Sequence, residues 1–128
     1  MADVAVTNTS LTALNTGYPV TANAATEDTI DAVQKFVFTP NKGDEKTLIR
    51  IAVGPTNGAV AFSIAAGDFW MATAAKTGSV AQATAEVIEI ESAKHMKTDG
   101  TIEVTFTPAS GKKLKTDHAL SVEVYSMV

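Results

Sequence analysis

The residues able to do chemistry are few in this chain and widely spaced. Two histidines occur, His95 and His118, and the run "TDH" sets Asp117 directly before the second. A serine–histidine–aspartate triad needs a carboxylate that reaches the imidazole from across the fold, which an adjacent position does not provide. A metal site would need further nitrogen or oxygen ligands at ligand spacing, and neither histidine has them. Both read as surface or strand-end residues. Glu86, Glu89, Glu91, Glu103 and Glu123 could suggest acid–base work, but that chemistry wants one carboxyl in an apolar pocket with a raised pKa. These glutamates stand at the polar alternates of strand-like segments and read as solvated. The runs "PNKGDE" and "KTDG" are too poor in acidic side chains to supply the roughly six to eight oxygens that calcium takes. No glycine cluster precedes a helix as a phosphate loop would. The expectation is a non-enzymatic protein with no metal site and no cofactor.

One cluster stands apart. "GDFWMA" sets Phe69, Trp70 and Met71 in succession, and side chains alternating along a strand cannot all face one core. The simpler expectation is a segment that crosses between two layers and buries all three. Any exposed remainder would mark a partner surface or a sugar platform, because Trp and Met are enriched at interfaces. Phe69, Trp70 and Met71 are thus the candidate partner contact. The basic run Lys112, Lys113 and Lys115, with Lys94 and Lys97 elsewhere, reads as a solvated loop or as a contact for an acidic protein surface.

The elements that must position these residues are strands. From Lys35 onward the hydrophobic period is two: Phe36 and Phe38; Ile49, Ile51 and Val53; Val60, Phe62 and Ile64; Ile88 and Ile90; Ile102, Val104 and Phe106; Leu120, Val122 and Val124. Six such segments, with polar residues between, are the pattern of antiparallel strands with one wet face. The stretches "TPNKGDE", "GPTNG", "AAGD", "KTDG" and "TPASG" supply turn residues between them. Fold class is therefore all-β, an antiparallel β-sandwich of Ig-like or Greek-key type, with a small β-barrel as the alternative. Residues 1–128 read as one domain, with 34–128 as the sandwich core and 1–33 as an N-terminal arm or edge strands. "DVAV" and "GYPVT" look like short strands, whereas 68–86 fits a helical turn or a wandering loop.

"KFVFTPNKGDEK" and "EVTFTPASGKKL" share the phrase Phe-Thr-Pro-x-x-Gly. Proline cannot donate to a strand ladder and stops the pairing, and glycine permits the turn that follows. The residues after the glycine differ in charge, so the repeat reads as one fold corner made twice rather than a duplicated binding loop.

Composition limits the partners. There are 21 Ala and 18 Thr against one Trp, two Tyr and five Phe, a lean core by aromatic content. Residues 1–34 hold Asp3, Glu27, Asp28 and Asp31 and no Lys or Arg, while the rest of the chain is balanced within a net charge of −4. No large basic field is present to attract a phosphate backbone, so nucleic acid is not an expected partner. With no cysteine there is no disulfide framework. No secretion leader and no run approaching about 18 apolar residues are evident, so neither export nor a membrane partner is expected.

The blocks "GAVAFSIAAGDFWMA" and "DGTIEVTFTPASGKKLKTDHALSVEVY" resemble small structural proteins of tailed bacteriophages, in particular capsid decoration (head-stabilising) proteins. The resemblance carries over no site residue. It implies a virion protein made in the host cytoplasm that binds the outer capsid lattice, its partner being the major capsid protein, with self-association possible. Two rival expectations are another phage structural part, a tail tube or fibre, and an Ig-like module that binds carbohydrate on a cell surface. The latter would place Trp70 with Tyr18 or Tyr125 on one exposed rim.

Overall fold

The alternating segments pair as their pattern requires. The structure is a computed structural model describing residues 2–13, 15–40, 46–70, 72 and 74–127. In chain order its elements are β1 (Val4–Ala5), β2 (Asn8–Leu11), β3 (Asn23–Ala24), β4 (Gln34–Phe38), β5 (Lys46–Ala52), β6 (Val60–Ile64), β7 (Lys76–Val80), β8 (Ala85–Glu91), the single-turn helix α1 (Ser92–His95), β9 (Ile102–Thr107) and β10 (Ser121–Met127). One sheet has the order β1-β4-β9-β6-β7 and the other β2-β10-β5-β8, with β3 also paired to β10. The two pack face to face as a β-sandwich around one core, and among the described residues neither closes into a barrel. Both sheets are mixed rather than purely antiparallel, because β1 runs parallel to β4 and β2 parallel to β10.

Two pairs of consecutive strands cross between the sheets side by side. β4 leads to β5 and β9 leads to β10, with β4 beside β9 in the first sheet and β5 beside β10 in the second. The repeated Phe-Thr-Pro phrase sits at these two crossings. In each, the threonine after the phenylalanine is exposed and the proline is buried, and in the second the chain then turns through Gly111 at φ 76°. Because β4 and β9 are antiparallel, the corners lie at opposite ends of the sandwich. Residues 41–45 of the first corner, including most of "PNKGDE", lie outside the described residues.

Inward positions behave as the period-two pattern dictates. Phe36, Ile49, Ile51, Ile64, Ile102 and Phe106 are fully buried, each stabilising the fold by about 1.5–3 kcal/mol relative to exposure. The Phe36 and Phe106 rings meet edge to face at 5.1 Å and 78°. Ile88 is an exception. Its strand β8 is an edge strand, so Ile88 is only half-buried while Ile90 is buried.

The first 34 residues are stitched to both sheets. β1 extends the edge of β4, while β2 and β3 share the free edge of β10, pairing with Val124–Met127 and Ser121–Val122 respectively. "GYPVT" is not a strand; "NTSL", read as loosely patterned, forms β2 instead. The segment is fixed by Gln34, 1% exposed. Its Oε1 accepts from the N–H groups of Thr26 and Glu27 at 2.9 and 3.1 Å. Its Nε2 donates to the Ala2 carbonyl at 3.1 Å and to Thr26 Oγ1 at 2.6 Å.

The charge asymmetry of the sequence resolves as an internal contact. Asp31 Oδ1 accepts from the Gly111 N–H at 2.6 Å, and the Asp31 N–H donates to the Lys112 carbonyl at 3.0 Å. The Lys115 N–H donates to the Glu27 carbonyl at 3.0 Å, and Thr116 Oγ1 donates to Asp28 Oδ1. That bond, with the charges of Lys113 and Lys115, holds the Asp28 carboxyl below its ordinary pKa. The acidic N-terminal segment is therefore hydrogen-bonded to the 111–116 loop of its own chain.

Candidate functional site

The aromatic cluster lies on the loop from β6 to β7, residues 65–75. Both flanking strands belong to the first sheet, yet the loop is bound to the segment that follows β8 in the second. The Gly67 N–H donates to the Lys94 carbonyl at 3.0 Å, and the Asp68 N–H donates to the Met96 carbonyl at 3.0 Å. Asp68 Oδ2 accepts from the Thr98 N–H at 2.9 Å, and Asp68 lies 3.9 Å from Lys97 Nζ. His95 Nδ1 meets the Ala65 carbonyl at 3.0 Å. A β-carbon on Gly67 would stand 2.8 Å from the Met96 carbonyl oxygen and 3.0 Å from that of Lys94. Glycine is therefore a condition of this close approach.

The turn that follows is closed by Ala72 N–H on the Phe69 carbonyl at 2.9 Å. It does not cross the core. Trp70 is 92% exposed and Phe69 46% exposed, contrary to the expected burial of the whole cluster. The reason is that hydrogen bonds at 65–68 tie the chain to the 94–98 segment before the bulky residues are reached. Met71 lies outside the described residues. Beside the loop is a cleft of about 380 Å³, lined by Ile88 and Ile90 and by the charged Lys76, Glu89, Glu91 and Lys94 among others. Exposed aromatic surface and a cleft of mixed charged and aliphatic lining thus adjoin on a loop tied by hydrogen bonds to the 94–98 segment.

The other candidates are engaged in structure. His95 and His118 are 6% and 0% exposed, so they are not surface residues. His118 Nε2 accepts from the Ala109 N–H at 3.1 Å, which places the ring proton on Nδ1, a buried atom with no partner within hydrogen-bond distance among the described residues. Burial pushes the His118 pKa down, the Asp117 charge opposes this, Lys112 adds to it, and the Gly58 backbone opposes it weakly. The Asp117 carboxylate does not orient the imidazole; its Oδ2 accepts from the Lys113 N–H at 2.8 Å.

The carboxylates sit on wet faces with cationic partners: Glu89 with Lys46 at 3.2 Å, Glu91 with Lys94 at 3.3 Å, Glu103 with Lys35 at 3.2 Å and Glu123 with Arg50 at 3.2 Å. Tyr125 also donates to Glu123 at 2.9 Å, and its phenol pKa is raised by burial first and by that carboxylate second. The Tyr18 hydroxyl accepts from the N–H groups of Thr12 and Ala13 at 3.0 and 2.7 Å. Among the described residues no group of three or more His, Asp or Glu is placed to hold a metal ion, and no helix is long and apolar enough to cross a membrane.

Comparison with family models, with curated proteins and with solved structures returned no match to this chain.

Proposed function

We propose that this protein is a non-enzymatic virion structural component that binds and stabilises the outside of a phage capsid lattice, with the Phe69–Trp70 loop as its contact. The single observation that carries the reading is Trp70, 92% exposed on a loop whose backbone is tied to Lys94 and Met96 just before it, at Gly67 and Asp68. A large aromatic on a tethered loop loses less conformational freedom when it docks, and Trp is among the residues enriched at interface hot spots. The resemblance of residues 58–72 and 99–125 to capsid decoration proteins supplies the partner, the major capsid protein. The same indole face could instead stack on a sugar in a cell-surface binding module, and the experiment below separates the two.

The test is co-sedimentation of the parent and of Trp70→Ala with capsids lacking the protein. Loss of an interface anchor is expected to weaken attachment by about 30-fold, with the melting temperature unchanged. Parent-like attachment by Trp70→Ala would remove this loop from the interface. Failure of the parent to sediment, together with saturable glycan binding that Trp70→Ala abolishes, would replace the capsid reading with the sugar reading.

A further inference from the structure

Asn57 and Gly58 form the tip of the loop joining β5 to β6, at φ 74° and 90°. An Asn–Gly pair is the sequence at which a backbone most readily attacks its own side chain, because no β-carbon shields the glycine nitrogen. The Gly58 nitrogen adds to Asn57 Cγ and its proton passes to solvent. Ammonia leaves carrying Nδ2, and water then opens the resulting succinimide to aspartate or isoaspartate.

Both reacting groups are restrained in this fold. The Gly58 N–H donates to Gln82 Oε1 at 2.9 Å, so the attacking nitrogen is turned toward another strand connection. The leaving amide is held as well, with Asn57 Nδ2 donating to the Asp117 carbonyl at 2.8 Å and to Thr56 Oγ1 at 3.0 Å. Gln82 is itself well placed. Its turn, between β7 and β8, is bound to the base of the same loop by Ala83 N–H on the Gly54 carbonyl at 2.8 Å and by Val53 N–H on the Thr84 carbonyl at 3.0 Å.

We propose that Asn57–Gly58 is a latent deamidation site, held closed in the folded protein by Gln82 and by the Asp117 carbonyl. Its reaction unties the 54–58 loop from the 109–118 loop. The product lacks the Nδ2 donor and brings a new carboxylate toward the Asp117 carbonyl oxygen. Isoaspartate also lengthens the backbone inside a tight turn. The contact that loosens next is Gly54 N–H on the His118 carbonyl at 2.7 Å, where a β-carbon on Gly54 would already stand 2.9 Å from that oxygen.

The full chain and its variants are incubated folded at mildly alkaline pH. Conversion at residue 57 is read by peptide mass spectrometry and by enzymatic isoaspartate labelling. Gln82→Ala is expected to deamidate there about fivefold faster than the parent, the shift in an opening equilibrium from losing one neutral hydrogen bond. Gln82→Glu, which keeps an acceptor oxygen, should stay near the parent rate. Gln34→Ala weakens the fold without touching either turn and should also stay near it while the protein remains folded. Parent-like rates in Gln82→Ala would overturn the proposal, as would equal acceleration by Gln34→Ala, since protection would then come from global stability alone.

Discussion

Replacing Gln34 by leucine keeps the side chain's bulk and removes all four of its hydrogen bonds, two accepted and two donated. The N–H groups of Thr26 and Glu27 then lose their acceptor at a position only 1% exposed, and a buried donor left unsatisfied costs more than the bond contributed. At about 1 kcal/mol net for each bond, the loss is about 4 kcal/mol. For a domain of this size that corresponds to a melting temperature about 15 °C lower. The assay is calorimetry with urea titration of the parent, Gln34→Leu and Gln34→Ala, and amide exchange at Thr26 and Glu27 as the local readout. Leucine and alanine should be similarly damaging, since the lost polar contacts decide the outcome and volume does not. A leucine variant melting within about 3 °C of the parent would refute the reasoning and assign the N-terminal segment's attachment to β1, β2 and β3 alone.

Gly67→Ala should cost about 2 kcal/mol, because its new methyl meets backbone carbonyls that cannot yield; a lower urea midpoint and faster Trp70 fluorescence depolarisation would register the loosened loop. For His118 the folded pKa lies below the unfolded value of 6.5. Its contribution is therefore complete above pH 6.5 and is lost as pH falls through the folded pKa. Urea midpoints measured from pH 7.5 downward should decline in the parent below 6.5 and decline less in His118→Gln; identical profiles would contradict the assignment.

The strands that carry the core were legible in the sequence because each alternates against a single apolar layer, as Val60, Phe62 and Ile64 do against Ala61 and Ser63. β7 was not legible. Lys76, Thr77, Gly78 and Ser79 are all exposed on a sheet edge, so burial imposes no alternation there. β2 and β3 were hidden for another reason. Their pairing is with β10, more than 90 residues away in the chain, and short polar strands carry no local mark of such partners. The acidic character of residues 27–31 was visible, but not that the 111–116 loop would receive it, since the fit rests on backbone groups of Gly111, Lys112 and Lys115 and on the Thr116 hydroxyl rather than on lysine charges. The exposure of Trp70 was likewise unreadable. It follows from Gly67 and Asp68 bonding to the backbone of Lys94 and Met96, and a run of bulky residues suggests burial before it suggests display.

The most direct test of the capsid assignment is quantitative mass spectrometry of purified particles from the source lysate, counting copies of this chain against the major capsid protein. A decoration role predicts abundance near the stoichiometry of the lattice. A few copies per particle would point instead to a tail or fibre part, and complete absence from the particles would contradict the virion assignment.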